Sequence, residues 1–177
     1  IGRGAPAVVF EQGTGGNILN WKRVAGPISR FTRTCFYDRA GYGFSDPATR
    51  PSSAANITDD LYAAISKVLG PNEVVLVGHS RGGLYATLYT DRFFDSVAGL
   101  VLVDPSFAGQ DEPIPAAERA AARASMDAGN ALMDTCAAKA EAGQLSADSK
   151  PNCFWFRDDE TPEERRFLMR QYSRPSR

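Results

Sequence analysis

The chain has 177 residues, the length of one domain, and 43% of them are apolar, enough to bury a core. Its 20 Lys and Arg nearly cancel its 21 Asp and Glu, which excludes the broad basic field that holds nucleic acid or an anionic membrane surface. No apolar run reaches the roughly 20 residues that span a bilayer, and Ile1-Gly2-Arg3-Gly4 lacks the apolar stretch of a signal peptide, so any export signal is expected to have been removed or to lie outside this chain. Over the first hundred residues short apolar runs alternate with helical patterns, which predicts an α/β fold with a mainly parallel sheet flanked by helices on both faces. Strands are expected at 7–11 and 34–38. A helix follows Asn56 or Thr58 as its cap, with Ile57, Leu61, Ile65, Val68 and Leu69 at helical spacing and Gly70-Pro71 as its stop. A strand at 73–78, a helix at 82–93 and a strand at 99–104 come next. Beyond Gly109 the pattern becomes alanine-rich helix over about 115–142, and Thr161-Pro162-Glu163-Glu164 reads as a capping box opening a short helix to Tyr172.

The chemistry centres on Gly78-His79-Ser80-Arg81-Gly82, a Gly-x-Ser-x-Gly between the apolar run 74–77 and the helical run 83–89. A strand-to-helix turn of this kind is so tight that side chains near the serine collide, hence the glycines, and it lifts the serine hydroxyl above the sheet edge. The bland alternative is a glycine-rich turn with an unreactive serine. Gly13-Thr14-Gly15-Gly16 is no phosphate loop, because the Gly-x-x-x-x-Gly-Lys pattern is absent, and neither it nor Gly41/Gly43 completes a dinucleotide fingerprint.

With this context the chain resembles the α/β-hydrolase family, in its serine esterase and lipase-like branch. Val8 to Gly16 is similar to that family's third strand and oxyanion loop, Asp38-Arg39-Ala40-Gly41-Tyr42-Gly43-Phe44-Ser45-Asp46 to the loop after its fourth strand, and Leu100 to Pro105 to the end of its sixth. The resemblance implies a partial core over 1–109 with family strands three to six in the order 4-3-5-6, then a helical cap segment over 110–177. It also implies Ser80 as nucleophile and the backbone amides of Thr14 and Arg81 as the oxyanion hole. Asp104 is one of two positions from which such enzymes take the triad acid; the other follows strand seven, beyond this chain. Asp38 is expected to brace backbone amides.

His79 is the only histidine. Successive side chains of a strand point to opposite faces, so His79 is directed away from the site of attack and is expected to pack near the turn. The catalytic histidine then comes from sequence outside this chain, a second polypeptide segment that also completes the sheet, whose two open edges would otherwise lack partners. The expected function is hydrolysis of a small-molecule carboxylic ester through an acyl-enzyme, with no cofactor and no metal. The alternatives are a non-catalytic binding module on the same scaffold, or amidase, carbon–carbon hydrolase or lyase chemistry. Cys35 reads as a small buried hydrophobe. Cys136 and Cys153 stand 17 positions apart, where a disulfide would close a loop worth about 3 kcal/mol and imply an exported or periplasmic protein; without it a cytoplasmic location follows. Met126, Leu132, Met133, Phe154, Trp155, Phe156, Phe167 and Leu168 either line an acyl pocket or pack within the cap.

Overall fold

The computed structural model describes residues 1–144 and 161–164. Among them are four strands, β1 (Ala7–Glu11), β2 (Thr34–Phe36), β3 (Val74–Ser80) and β4 (Val97–Pro105), and the helices α1 (Lys22–Ser29), α2 (Ala54–Leu69), α3 (Arg81–Arg92) and α4 (Ala116–Glu141). All pairings are parallel and the order is β2-β1-β3-β4, as the family resemblance implies. β1 lies inside the sheet, with Val9 opposite Cys35 on one side and Leu76 on the other. A strand covered on both faces has no polar face to show, which is why its apolar residues do not alternate.

Ala7, Val9, Val74 and Leu76 pack with Leu61, Ile65 and Leu69 of α2 and with Ala86 and Tyr89 of α3. Phe10 and Val77, one residue along their strands, leave on the other face and pack against Trp21, with Ile28 of α1 and Phe36 beside them. There Phe10 stacks on Phe36 with centroids 4.9 Å apart and tilts against Trp21 at 4.7 Å.

Two elements depart from expectation. The sequence pattern assigns nothing between the first two strands, yet a 3-10 turn, Ile18–Trp21, capped by Asn17, runs into α1. Gly26 and Pro27 mask the short amphipathic pattern there, and burial of Trp21 and Ile28 on the sheet supplies what local propensity lacks. The cap of α2 is Ser53, whose Oγ accepts from Asn56 N–H at 3.2 Å, not Asn56 or Thr58. The apolar stripe of α2 begins only at Thr58, which is buried, so periodicity places the start one turn late.

The chain divides into two compact units, residues 1–39 with 48–108 and residues 40–47 with 109–177. The first contains the sheet and α1 to α3. In the second, Gly41 N–H donates to Asp46 O at 2.6 Å and Ser45 N–H to Tyr42 O at 2.9 Å, closing the glycine loop. Arg119 donates to the Asp111, Glu112 and Ile114 carbonyls, tying α4 to the turn before it. Met126 and Leu132 of α4 are exposed, whereas Cys136 is buried and disulfide-bonded; Cys35 is free. Thr161 and Glu164 form the expected reciprocal capping box. Cys153, Phe154, Trp155, Phe156, Phe167, Leu168 and Tyr172 lie outside the described residues.

Candidate active site

β3 passes into α3 without a loop, Ser80 ending the strand and Arg81 starting the helix. Ser80 takes φ 53° and ψ −126°, a region that costs a non-glycine residue on the order of 1–3 kcal/mol. So sharp a turn brings backbones together. A Cβ on Gly78 would stand 2.6 Å from Gly82 O, one on Gly82 2.4 Å from Glu11 O, and one on Gly83 2.5 Å from Pro105 Cβ. These three positions therefore exclude any side chain. Ser106 N–H ties the turn to the end of β4 through Ser80 O at 2.8 Å.

The loop leaving β1 comes up against this turn. A Cβ on Gly13 would lie 3.1 Å from Ser80 Cβ and 3.2 Å from His79 Nδ1. Glu11, Gln12 and Gly13 are buried while Thr14 is exposed. Beneath the loop the Glu11 carboxylate accepts from Arg39 Nη1 and from the Tyr37 hydroxyl. Burial pushes the Glu11 carboxyl up to about 7, against the opposing charge and hydrogen bond of Arg39. The same guanidinium donates to Gln12 O at 2.6 Å and to Gly13 O, and Gln12 Nε2 donates to Tyr37 O at 2.8 Å. Asp38 accepts from Ile18 N–H at 3.0 Å, the amide-bracing role expected of it. Sequence reasoning does not single out Glu11, Tyr37 or Arg39. The available signal is a carboxylate closing an otherwise apolar strand and an arginine just past the end of another.

Of the candidate residues, the structure brings Ser80, Thr14 and Arg81 to one edge of the sheet. Arg81 is the first residue of α3, so its N–H has no intrahelical acceptor, and Thr14 N–H donates to no other backbone carbonyl among the described residues. His79 is exposed and meets Trp21 edge-on at 6.3 Å; no hydrogen bond joins it to Ser80 among the described residues. It packs less than expected because β1 pairs with β3 only as far as Gly78, which leaves His79 with a strand neighbour, Val103, on one side. Asp104, also exposed, adopts φ 44° beside Pro105, which pairs with Ser80. Ser80 and Asp104 are the two non-glycine residues with positive φ among the described residues. Both sit at the carboxyl ends of adjacent strands, where open parallel sheets place their ligands. Among the described residues no three His, Cys, Asp or Glu side chains converge to hold a metal ion.

The mouse (Lyso)-N-acylphosphatidylethanolamine lipase is 31% identical over 101 residues, which cover 55% of this chain and 30% of the lipase. An uncharacterized vacuolar membrane protein of Saccharomyces cerevisiae strain YJM789 is 35% identical over 105 residues, 56% of this chain and 16% of that one. The crystal structure of an alpha/beta superfamily hydrolase from Oenococcus oeni PSU-1 superposes with a TM-score of 0.56 at 26% identity, over 63% of this chain and 42% of that one. Est816, an N-acyl homoserine lactone degrading enzyme, shares the fold with a TM-score of 0.63 at 23% identity, over 97% of this chain and 60% of that one. The chain thus spans about a third or less of the length of the curated relatives it matches. A family profile described as alpha/beta hydrolase fold matches residues 6–136, and on that match this chain belongs to the α/β-hydrolase fold family.

Proposed function

We propose that this chain carries the nucleophile and the oxyanion donors of a serine hydrolase acting on small-molecule carboxylic esters. The observation that carries the reading is the backbone of Ser80, φ 53° and ψ −126°, locked by glycines with no room for a Cβ. A non-glycine residue persists in such a conformation only where its surroundings over-determine it, and such strain clusters at active sites. In this reading the turn is a nucleophile elbow. Ser80 Oγ bonds to the ester carbonyl carbon and its proton passes through a histidine to the departing alkoxide; water then releases the acid by the reverse sequence. The Thr14 and Arg81 amides hold the oxyanion, and no cofactor takes part.

His79 makes no hydrogen bond to Ser80, so the base is assigned to a histidine outside this chain. Support for a completing segment comes from β2 and β4, which end the four-strand sheet, and from Val101, Leu102 and Val103, exposed along β4. Asp104 is one candidate for the acid; a residue of the completing segment is the other. The bonded Cys136 supports an exported, oxidising location. The lone histidine without a bond to Ser80 also favours a second reading, a non-catalytic binding module. A fluorophosphonate probe applied to the complete native protein separates the two. Labelling and ester turnover that both vanish in Ser80→Ala, with an unchanged melting curve, are expected. Labelling that persists in Ser80→Ala would refute the nucleophile, and absence of both labelling and turnover in the wild type would overturn the hydrolase reading in favour of the binding module.

A further inference from the structure

Glu11 is fully buried and Arg39 is 6% exposed, although charged residues are the least often buried of all. Stability does not explain them, since replacing a buried ion pair by apolar residues of similar volume is commonly neutral or favourable. What the pair touches is more informative. The Arg39 guanidinium reaches three consecutive residues of the chain leaving β1: the Glu11 carboxylate, the Gln12 carbonyl and the Gly13 carbonyl. Its plane is held on its other side by Tyr85, whose ring centroid lies 5.5 Å from Cζ. Glu11 is fixed in turn by the Tyr37 hydroxyl. A planar fork with several donors suits such a task, and a lysine could not span these acceptors in the same geometry.

The Gly13 carbonyl and the Thr14 N–H belong to one peptide plane. That bond is trans, Ala5-Pro6 being the one cis bond among the described residues, so the N–H points opposite to the C=O. A hydrogen bond that draws Gly13 O down toward buried Arg39 therefore turns Thr14 N–H up toward the exposed side, next to a glycine on which a Cβ would stand 3.1 Å from Ser80 Cβ. We propose that Arg39, held by Glu11 and Tyr37, is a positioning residue that sets the direction of the Thr14 amide as an oxyanion donor. The inference rests on the serine hydrolase reading of Ser80 for its catalytic consequence, but not for its geometry.

The test compares Arg39→Gln, Glu11→Gln and Tyr37→Phe with the wild type in the complete native protein, using a p-nitrophenyl ester, an aryl trifluoromethyl ketone as oxyanion-forming inhibitor, and the Thr14 amide resonance by nitrogen-15 NMR. Loss of one oxyanion donor lowers kcat by about 10²- to 10³-fold. A misdirected donor should give Arg39→Gln a loss of about tenfold or more in kcat, with KM within about twofold. Inhibitor affinity should fall by the same factor as kcat/KM, and the Thr14 resonance should shift. Unchanged kcat in a folded Arg39→Gln, or a loss shared equally by KM and kcat without a change in inhibitor affinity relative to substrate, overturns the proposal. Should Arg39→Gln not fold, Glu11→Gln and Tyr37→Phe decide by the same criteria with smaller effects in the same direction. If the wild type neither turns over ester nor takes the phosphonate label, the hydrolase reading fails by itself. The Thr14 resonance and its hydrogen exchange then judge the positioning alone, and their constancy across the variants overturns it.

Discussion

Adding one methyl group at two glycines separates the effect of helix propensity from that of close backbone approach. Gly26 lies in α1 with nothing within 4 Å of a built Cβ, whereas Gly82 lies in the first turn of α3 with Glu11 O at 2.4 Å and Gln12 O at 2.5 Å. Neither has a positive φ, so the backbone conformation of both admits alanine. Gly26→Ala is expected to raise stability by about 0.5–1 kcal/mol, the usual helical gain. Gly82→Ala brings the same gain but forces two consecutive carbonyls to retreat by half an ångström or more. Those carbonyls belong to the last residue of β1, an interior strand, and to the residue after it, and Gln12 O is also held by Arg39. Overpacking costs about 1–3 kcal/mol even where side chains can give way, so against fixed backbone a net loss of at least about 2 kcal/mol follows. The two variants, chemically the same change, should then differ by about 3 kcal/mol. Urea unfolding with a shared m-value measures this directly as a difference in midpoint. Equal midpoints for Gly82→Ala and wild type would refute the claim that α3 and the end of β1 touch backbone to backbone.

Ser80→Gly should stabilise the fold by about 1 kcal/mol by relieving φ 53° while abolishing turnover; a lower urea midpoint would contradict the strain argument. Asp104→Asn should leave stability nearly unchanged, because asparagine tolerates φ 44°, and Asp104→Val should cost about 1–2 kcal/mol; thermal melts of the two variants distinguish them. The Glu11 carboxyl is raised from 4.5 to about 7. Between those values the unfolded chain holds fewer protons at this group than the native protein does, so its contribution to stability is full below about pH 4.5 and declines as pH rises toward 7. Subtracting the Glu11→Gln profile from that of the wild type should reveal this fall, and a flat or rising difference would contradict it. Phe10→Ala, at a site 1% exposed between Phe36 and Trp21, should cost about 3–5 kcal/mol in the same urea assay.

The strand positions and the turn at Ser80 were legible because each depends on neighbours in sequence, whereas the strand order followed from the family resemblance. Apolar runs mark β1 and β3, and glycines at 78, 82 and 83 announce a turn too tight for side chains. The first helix was not, because Gly26 and Pro27 argue against it locally and only docking of Ile28 and Trp21 on the sheet holds it. The Ser53 cap escaped for a related reason, since the stripe that betrays a helix starts where burial starts and not where hydrogen bonding does. The exposure of His79 depends on where a neighbouring strand stops, which no pattern within 74–80 encodes.

Glu11 and Arg39 lie at the far end of this scale. From the sequence, a carboxylate closing an apolar strand looks like its stop signal, and an arginine beyond a second strand looks like solvated loop. Parallel pairing of Val9 with Cys35 and Phe10 with Phe36 brings the two strand ends level, and contacts then form between residues 26 and 28 positions apart. Only register reveals them. A buried carboxylate, a buried guanidinium and a serine in a backbone region it avoids each break a local rule that the rest of the chain obeys. Proteins tolerate such breaks where function requires them and offset them elsewhere. Here all three violations converge on the same few ångströms of sheet edge, at the carboxyl ends of β1, β2 and β3, while the apolar faces below them follow the rules throughout. Strain and buried charge at that edge are what the proposed requirement, a fixed relation of the Gly13–Thr14 peptide to Ser80, would call for, and the sheet's own stability does not call for them.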